Sequence, residues 1–209
     1  MTSKQKIAII GAGGFGREVF NLLDEDLYEC VGFIDRDKAE NEFPLTIIGH
    51  ENNFDRLINK YKFSNCALAI GVMKKRKYIY NSIGDFPIQF PSVIHPSVQS
   101  YSKDMQNGVI LYPGVVIMND CRIGKFTLLN SGVTLGHDVI IGDFCNINPG
   151  ANLAGRITVG DCTLIGIGSS IKENITIGKN VVIGAGSVVI DDVPDNTTVY
   201  GVPAKAASS

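Results

Sequence analysis

A histidine and an aspartate stand next to each other at His137 and Asp138, and residues 111–194 contain no other histidine. A histidine side chain ordinarily titrates at about pH 6.5, so at neutral pH an imidazole can take a proton from an amine or a hydroxyl. A carboxylate beside it can orient the ring and stabilise the imidazolium that forms. We therefore predict a general base with an orienting acid, and the alternative is a surface ion pair without chemistry.

A glycine-rich segment near the start of the chain is the second candidate site. The run Gly11-Ala12-Gly13-Gly14-Phe15-Gly16 follows the apolar segment Ile7–Ile10 and precedes a helix predicted over Arg17–Asp26. Glycines at a strand-to-helix junction let a diphosphate approach the helix N-terminus, and an acid ending the next strand, here Asp35, can reach a ribose hydroxyl. A tight turn without a ligand is the alternative, because this motif alone is weakly specific.

Residues 1–92 alternate apolar runs of strand length with charged runs of helix length, which predicts a Rossmann-like α/β domain. Pro91 and Pro96 place its boundary after residue 92. A domain this short lacks the second mononucleotide-binding half of a dehydrogenase, so we do not expect one. The predicted elements are Ile7–Ile10, Arg17–Asp26, Cys30–Ile34, Phe54–Tyr61, Ala67–Ile70 and Lys74–Ile83.

A repeat of six residues begins at residue 111. Fourteen consecutive positions spaced by six are aliphatic, and the residue four places after each of them is small or β-branched. Three such hexads make a triangular coil of 18 residues, and coils of this kind stack by parallel strand pairing at about 4.8 Å. We predict a parallel β-helix over residues 93–209; a sandwich of hairpins would require alternation with period two. The aliphatic positions are Leu111, Ile117, Ile123, Leu129, Leu135, Ile141, Ile147, Leu153, Val159, Ile165, Ile171, Ile177, Ile183 and Val189.

In such a stack, residues 18 apart in the sequence lie above one another. Gly155 is therefore predicted one coil beyond His137, about 4.8 Å away. A glycine there exposes the backbone beside the imidazole, and we expect a groove at this point.

Composition excludes several classes of function. A net charge of −2 disfavours a nucleic-acid-binding protein, and no apolar run reaches the roughly 20 residues that span a bilayer. One histidine in the coils is too few for a three-histidine zinc site, so we predict no metal. The cysteines are odd in number and form no C-x-x-C pair, which predicts reduced thiols in a cytoplasmic protein. They are Cys30, Cys66, Cys121, Cys145 and Cys162.

Three segments together resemble the bacterial nucleotide-amino-sugar N-acetyltransferases. They are residues 129–138 (LNSGVTLGHD), the pair Ala154-Gly155 and the run Gly201-Val202-Pro203-Ala204-Lys205. That family of hexapeptide-repeat acyltransferases includes a branch similar to sialic-acid O-acetyltransferases. The resemblance implies a Rossmann-like N-terminal subdomain followed by a left-handed parallel β-helix, acetyl-CoA as co-substrate, and a homotrimer whose subunits share the cofactor groove.

The resemblance also implies a role for particular residues of the β-helix. His137 would be the general base, with Asp138 where the family usually has Glu, and Asn130 would help to place the acceptor sugar. Four residues would contact the cofactor. They are Gly155, whose N–H would meet the thioester carbonyl, Ile167 and Ala185, which would line the groove, and Asn146, which stands where the family has a second histidine.

For the first domain, the resemblance implies a site for a UDP- or TDP-linked sugar. Gly11, Gly13 and Gly14 would lie at the substrate, and Asp35 and Arg36 would lie near its base or ribose. The expected reaction is acetylation of the 4-amino group of a UDP- or TDP-linked 4-amino-4,6-dideoxy sugar. Two alternatives stay open: an O-acetyltransferase of a sialic-acid-like sugar, and a nucleotide-sugar-binding assembly subunit without catalysis.

Overall fold

The computed structural model describes residues 3–36 and 46–207. Its internal contacts divide the chain into two compact units, Met1–Val93 and Ile94–Ser209.

The first unit is built on a parallel sheet with the strand order β3-β2-β1-β4. β1 is central and its last four residues are buried, because an apolar run covered on both faces suits a parallel sheet. A short 3-10 helix, Glu51–Asn53, precedes α2. The elements are β1 (Gln5–Ile10), α1 (Gly14–Leu22), β2 (Tyr28–Ile34), β3 (Ile47–Gly49), α2 (Phe54–Tyr61), β4 (Asn65–Leu68) and α3 (Met73–Ile83).

The first helix differs from the predicted Arg17–Asp26 at both ends. It begins at Gly14, so the second half of the glycine-rich run forms its first turn, and it ends at Leu22. Asp24 explains the early end. Its carboxylate accepts the backbone N–H of Asp26 at 2.9 Å and that of Leu27 at 3.3 Å, which gives the backbone an alternative to helical hydrogen bonds.

The second unit is a left-handed parallel β-helix with three faces, as predicted. We call the faces I, II and III in the order in which the chain passes through them. Face I contains β5 (Val93–Ile94), β8 (Ile110–Leu111), β11 (Leu128–Leu129), β14 (Asn146–Ile147), β17 (Leu164–Ile165), β20 (Val182–Ile183), β22 (Thr198–Gly201) and β23 (Ala204–Ala206).

The other two faces consist of two-residue strands only. Face II contains β6 (Gln99–Ser100), β9 (Val116–Ile117), β12 (Thr134–Leu135), β15 (Asn152–Leu153), β18 (Ser170–Ile171) and β21 (Val188–Val189). Face III contains β7 (Asp104–Met105), β10 (Arg122–Ile123), β13 (Ile140–Ile141), β16 (Thr158–Val159) and β19 (Thr176–Ile177).

The coils stack in the register that the hexads predict. Leu128 pairs with Asn146, and Leu129 pairs with Ile147, so partners are 18 residues apart. All fourteen aliphatic positions and all fourteen small or β-branched partners are buried, so both sets point inward. The buried hydroxyls among them are paired: Thr127 donates to the Gly142 carbonyl at 2.8 Å.

The cysteines carry no disulfide in this structure. Burial raises the pKa of the Cys30 thiol to about 11, and burial likewise raises the pKa of Cys66. A thiol with a raised pKa stays protonated at neutral pH and is a poor nucleophile. These two cysteines therefore take part in packing.

The strand β13 offers a matched test of the coil. Ile141 points inward and is 2% exposed, whereas its neighbour Ile140 points outward and is 41% exposed. We expect Ile141→Ala to lower the free energy of unfolding of this unit by about 2–5 kcal/mol, because it leaves a cavity in a closed core. Ile140→Ala should cost less than about 1 kcal/mol. Denaturant unfolding followed by circular dichroism measures both, and equal losses would contradict the inward register.

Candidate functional site

His137 and Asp138 lie at the edge where face II turns into face III, directly after β12. The Nδ1 atom of His137 is 2.7 Å from Oδ2 of Asp138. Both side chains are about half exposed, at 54% and 52%. Asp138 has left-handed backbone geometry, with φ of 59°, and this turns the chain at the corner. The aspartate is therefore long enough to hold the imidazole.

The contact with Asp138 decides which nitrogen of His137 can act as a base. An ionised carboxylate only accepts hydrogen bonds, so the neutral ring carries its proton on Nδ1. The lone pair then lies on Nε2, at the opposite side of the ring. The pair thus has the arrangement of a general base and its orienting acid.

Gly155 lies one coil beyond the imidazole. A Cβ atom at this position would be 2.6 Å from Nε2 of His137, so the ring occupies the space that any other residue's side chain would take. The Gly155 carbonyl accepts the N–H of Asn174 at 3.1 Å. Its own N–H makes no hydrogen bond within residues 3–36 and 46–207. A basic nitrogen and an unpaired backbone donor therefore stand together, which suits a carbonyl that gains negative charge.

The other residues predicted in the β-helix lie elsewhere. Ile167 and Ala185 are exposed and stack at the edge where face I turns into face II, and the same edge carries Asn130. The amide oxygen of Asn130 accepts the N–H of Ser131 at 2.7 Å. Asn146 is buried in β14 on face I. One chain therefore joins His137, Asp138 and the predicted cofactor residue Gly155. It holds the other three predicted cofactor residues elsewhere, Ile167 and Ala185 on another edge and Asn146 on face I.

In the first unit, two residues of the glycine-rich run line a cavity of about 140 Å³ at the carboxyl ends of β1, β2 and β4. Open α/β sheets bind their ligands at such a position, where the order of the strands along the chain reverses. In this sheet β2 and β3 lie on one side of β1, and β4 lies on the other. Among the predicted residues, Gly11, Gly13, Asp35 and Arg36 line the cavity. We call this space the loop cavity.

The glycines of the run have different reasons to be there. Gly11 has φ of +106°, and a Cβ on it would lie 2.4 Å from the carbonyl oxygen of Ala69, so the fold itself requires glycine. A Cβ on Gly13 would meet nothing within 4 Å, and one on Gly14 would meet only the end of Arg17 at 3.9 Å. The fold leaves open space over Gly13 and Gly14.

Asp35 fixes the loop from the neighbouring strand. Its Oδ2 atom accepts the backbone N–H of Ala12 at 2.6 Å. The first turn of α1 holds no acidic side chain, so its positive dipole is not compensated from within the helix. An anion is therefore favoured at this helix end.

Two charged residues of the loop cavity were missed from the sequence. Glu51 opens the 3-10 helix, and Lys75 lies in the first turns of α3. Neither belongs to a motif. Lys75 follows the predicted strand Ala67–Ile70, whereas Glu51 follows β3, a strand that the sequence did not predict. Within residues 3–36 and 46–207 there is no cluster of three or more potential metal ligands. In the same residues, no helix is long and apolar enough to cross a bilayer.

Comparison with protein families matches both units. Residues 6–83 match the PglD N-terminal domain, and residues 120–155 and 156–191 match the bacterial transferase hexapeptide repeats. The chain belongs to the hexapeptide-repeat acyltransferases with a PglD-type N-terminal domain. A search of curated protein sequences finds no significant match.

Solved structures similar to this acyltransferase cover it from end to end. PerB from Caulobacter crescentus, in complex with CoA and GDP-perosamine, is 28% identical with a TM-score of 0.90, over 100% of this chain and 99% of that one. The acetyltransferase domain of PglB from Neisseria gonorrhoeae, in complex with acetyl coenzyme A, is 27% identical with a TM-score of 0.83, over 98% and 100%. WeeI from Acinetobacter baumannii is 27% identical with a TM-score of 0.86, over 98% and 100%.

The two kinds of glycine in this acyltransferase can be separated by substitution. Gly11→Ala should lower the melting temperature by several degrees, because it places a Cβ against the Ala69 carbonyl in a left-handed region. Gly13→Ala should leave the melting temperature within about 2 °C of wild type, since its Cβ enters open space. Thermal unfolding of both variants tests this, and a Gly13→Ala loss as large as that of Gly11→Ala would refute it.

Proposed function

We propose that this chain transfers the acetyl group of acetyl-CoA to the 4-amino group of a nucleotide-linked 4-amino-4,6-dideoxy sugar. The observation that carries the proposal is the contact of His137 with Asp138 at 2.7 Å, beside the bare backbone of Gly155. The similar structures with CoA, acetyl-CoA and a nucleotide-linked amino sugar support it.

Each of these three residues has one task in the transfer. As the amine nitrogen attacks the thioester carbonyl, Nε2 of His137 takes the proton that the amine loses. Asp138 keeps the other ring nitrogen protonated and stabilises the imidazolium. The Gly155 N–H donates to the carbonyl oxygen as it gains charge. The imidazolium returns its proton to the departing sulfur, so an amide and a free thiol form without a covalent acyl-enzyme.

The nucleotide part of the substrate would bind to the first unit. There the space over Gly13 and Gly14 and the uncompensated end of α1 suit a diphosphate. Asp35 and Arg36 line the same cavity and would lie beside the nucleoside. Gly11 fixes the conformation of the glycine-rich loop. Asn130 would contact the acceptor sugar.

The base is tested by His137→Ala. We expect turnover to fall by about 10²-fold or more, because the proposed acceptor of the amine proton is removed, while acetyl-CoA still binds. Turnover is measured as free thiol released with a panel of nucleotide-linked 4-amino sugars. Asp191→Ala, a change at an exposed acid of the same edge, serves as the control and should keep most of the activity. Wild-type turnover in His137→Ala would remove this residue from the mechanism.

A preference for free acidic sugars would favour O-acetylation, and no binding of acetyl-CoA would favour an assembly subunit.

We further propose a homotrimer in which neighbouring chains share the cofactor groove, in the cytoplasm, where acetyl-CoA and reduced thiols coexist. Ile167 is 58% exposed and lies at a different edge from His137, so a groove holding both fits two chains better than one. Gly155 would contact the thioester end, and Ala185 would continue the apolar lining beside Ile167. Asn146 would be a further cofactor contact, although it is buried in one chain.

Mixed assemblies test the shared groove. Ile167→Glu places a charge where the cofactor would lie, and His137→Ala removes the base, so each variant alone should be inactive. Co-expressed in equal amounts, they should regain about a quarter of wild-type activity, because each mixed trimer contains one interface with both native residues. The ratio of subunits is checked by mass spectrometry. A mixture no more active than the separate variants would show that one chain builds the whole site.

A further inference from the structure

We propose that the first unit selects guanine as the base of its nucleotide-linked substrate, in a chamber lined by Arg36, Glu51 and Tyr78. This inference rests on the proposed function and replaces the expectation of a UDP- or TDP-linked sugar. It concerns a second cavity of the first unit, to which the reaction above assigns no role.

The second cavity has a volume of about 420 Å³ and lies next to the loop cavity. We call it the base chamber. Arg36 and Glu51 line both cavities, so the two spaces meet at these residues. Along α3 the lining also continues from one cavity to the other, with Lys75 in the first and Tyr78 in the second. The two cavities therefore form one groove that runs outward from the glycine-rich loop.

The order of groups along this groove matches the order of groups in a nucleoside diphosphate. The phosphates would lie at Gly13 and the N-terminal end of α1, where the fold leaves open space. The ribose would follow near Asp35, and the base would pass between Arg36 and Glu51 into the base chamber. A guanine ring is small enough for a space of this volume.

The charges at the junction favour guanine over uracil and thymine. An arginine only donates hydrogen bonds, and an ionised glutamate only accepts them. Guanine offers the acceptors O6 and N7, which an arginine binds with two hydrogen bonds. It also offers N1–H and the N2 amino group side by side, a pair that one carboxylate can accept. Uracil and thymine have a single ring N–H between two carbonyls, so the second carboxylate oxygen would face another acceptor.

Glu51 is available to such a base. Its carboxylate lies 3.5 Å from Nδ1 of His50, which is longer than the roughly 2.7–2.9 Å of a charge-assisted hydrogen bond, so both carboxylate oxygens can still accept. The same ring contacts Arg36: Nε2 of His50 is 3.3 Å from Nε of Arg36, and this contact leaves the two terminal nitrogens of the guanidinium to donate to a base. The glutamate side chain is only 15% exposed, which strengthens a hydrogen bond made to it.

The ring of Tyr78 forms an aromatic wall of the base chamber. It is 73% exposed, which is unusual for an aromatic ring on a helix, and it lines the chamber from α3. An exposed ring of this kind provides a surface on which a base can stack, and stacking is tolerant of the base's identity. Tyr78 would therefore hold the base, whereas Arg36 and Glu51 would identify it.

The test is calorimetric titration of the full-length protein with GDP, UDP and TDP. We expect GDP to bind at least about tenfold more tightly than the other two. Glu51→Gln keeps the size of the side chain and should weaken GDP by about 10- to 100-fold, while UDP changes by less than about threefold. Glu25→Gln is the matched control, because Glu25 lies exposed in the turn after α1, and it should change nothing. Tyr78→Ala should weaken all three nucleotides, and Tyr78→Phe should not.

The outcomes separate this inference from the proposed function. UDP or TDP binding as tightly as GDP to the wild-type protein would overturn the choice of guanine and leave the reaction intact, and this comparison needs no variant. Equal weakening of all three nucleotides by Glu51→Gln would overturn the role of Glu51. Binding of none of the three would count against a nucleotide-linked substrate altogether.

Discussion

The parallel pairing of residues 18 apart is the constraint on which the second unit depends. Each coil is hydrogen-bonded to the next through backbone groups, such as those of Leu128 and Asn146, so the register cannot shift in one coil without shifting in its neighbours. The aliphatic positions fill the inside of the prism and leave the corners to carry function. This is why Gly155, far from His137 in sequence, comes within contact of its ring.

The corner also explains why the chemistry needs so few residues. At the edge between faces II and III the chain turns through a left-handed residue, and this position is occupied by Asp120, Asp138, Arg156 and Asn174 in successive coils. Side chains there project from a rigid stack and pay little conformational entropy to stay aligned. The imidazole is held from one side by Asp138 and meets the neighbouring coil on the other. Two coils therefore define a base, its tautomer and an adjacent donor.

Much of this arrangement is predictable from the sequence, because a strict spacing converts directly into geometry. The aliphatic hexads predict the faces, and the spacing of 18 residues predicts that Gly155 lies next to His137. The first unit is less predictable. The three-residue strand Ile47–Gly49 is too short to show a period, and the end of α1 depends on a side-chain hydrogen bond of Asp24. The sequence does not predict that Glu51 lines the loop cavity, because its position depends on how the chain folds back after β3. The spacing within one chain places Ile167 and Ala185 at a different edge from His137, and it does not predict how a second chain would pack against that edge.

The stacked architecture has a consequence for how such a catalyst changes over evolutionary time. The distance between two functional groups along the axis of the β-helix is set by the number of coils and faces between them, and each coil adds about 4.8 Å. His137 and Ile167 are 30 residues apart, which is one coil and two further faces. Gain or loss of a complete coil between them would alter their offset by a fixed increment without disturbing the core. The addition or removal of one coil could therefore match the fold to a longer or shorter acyl carrier.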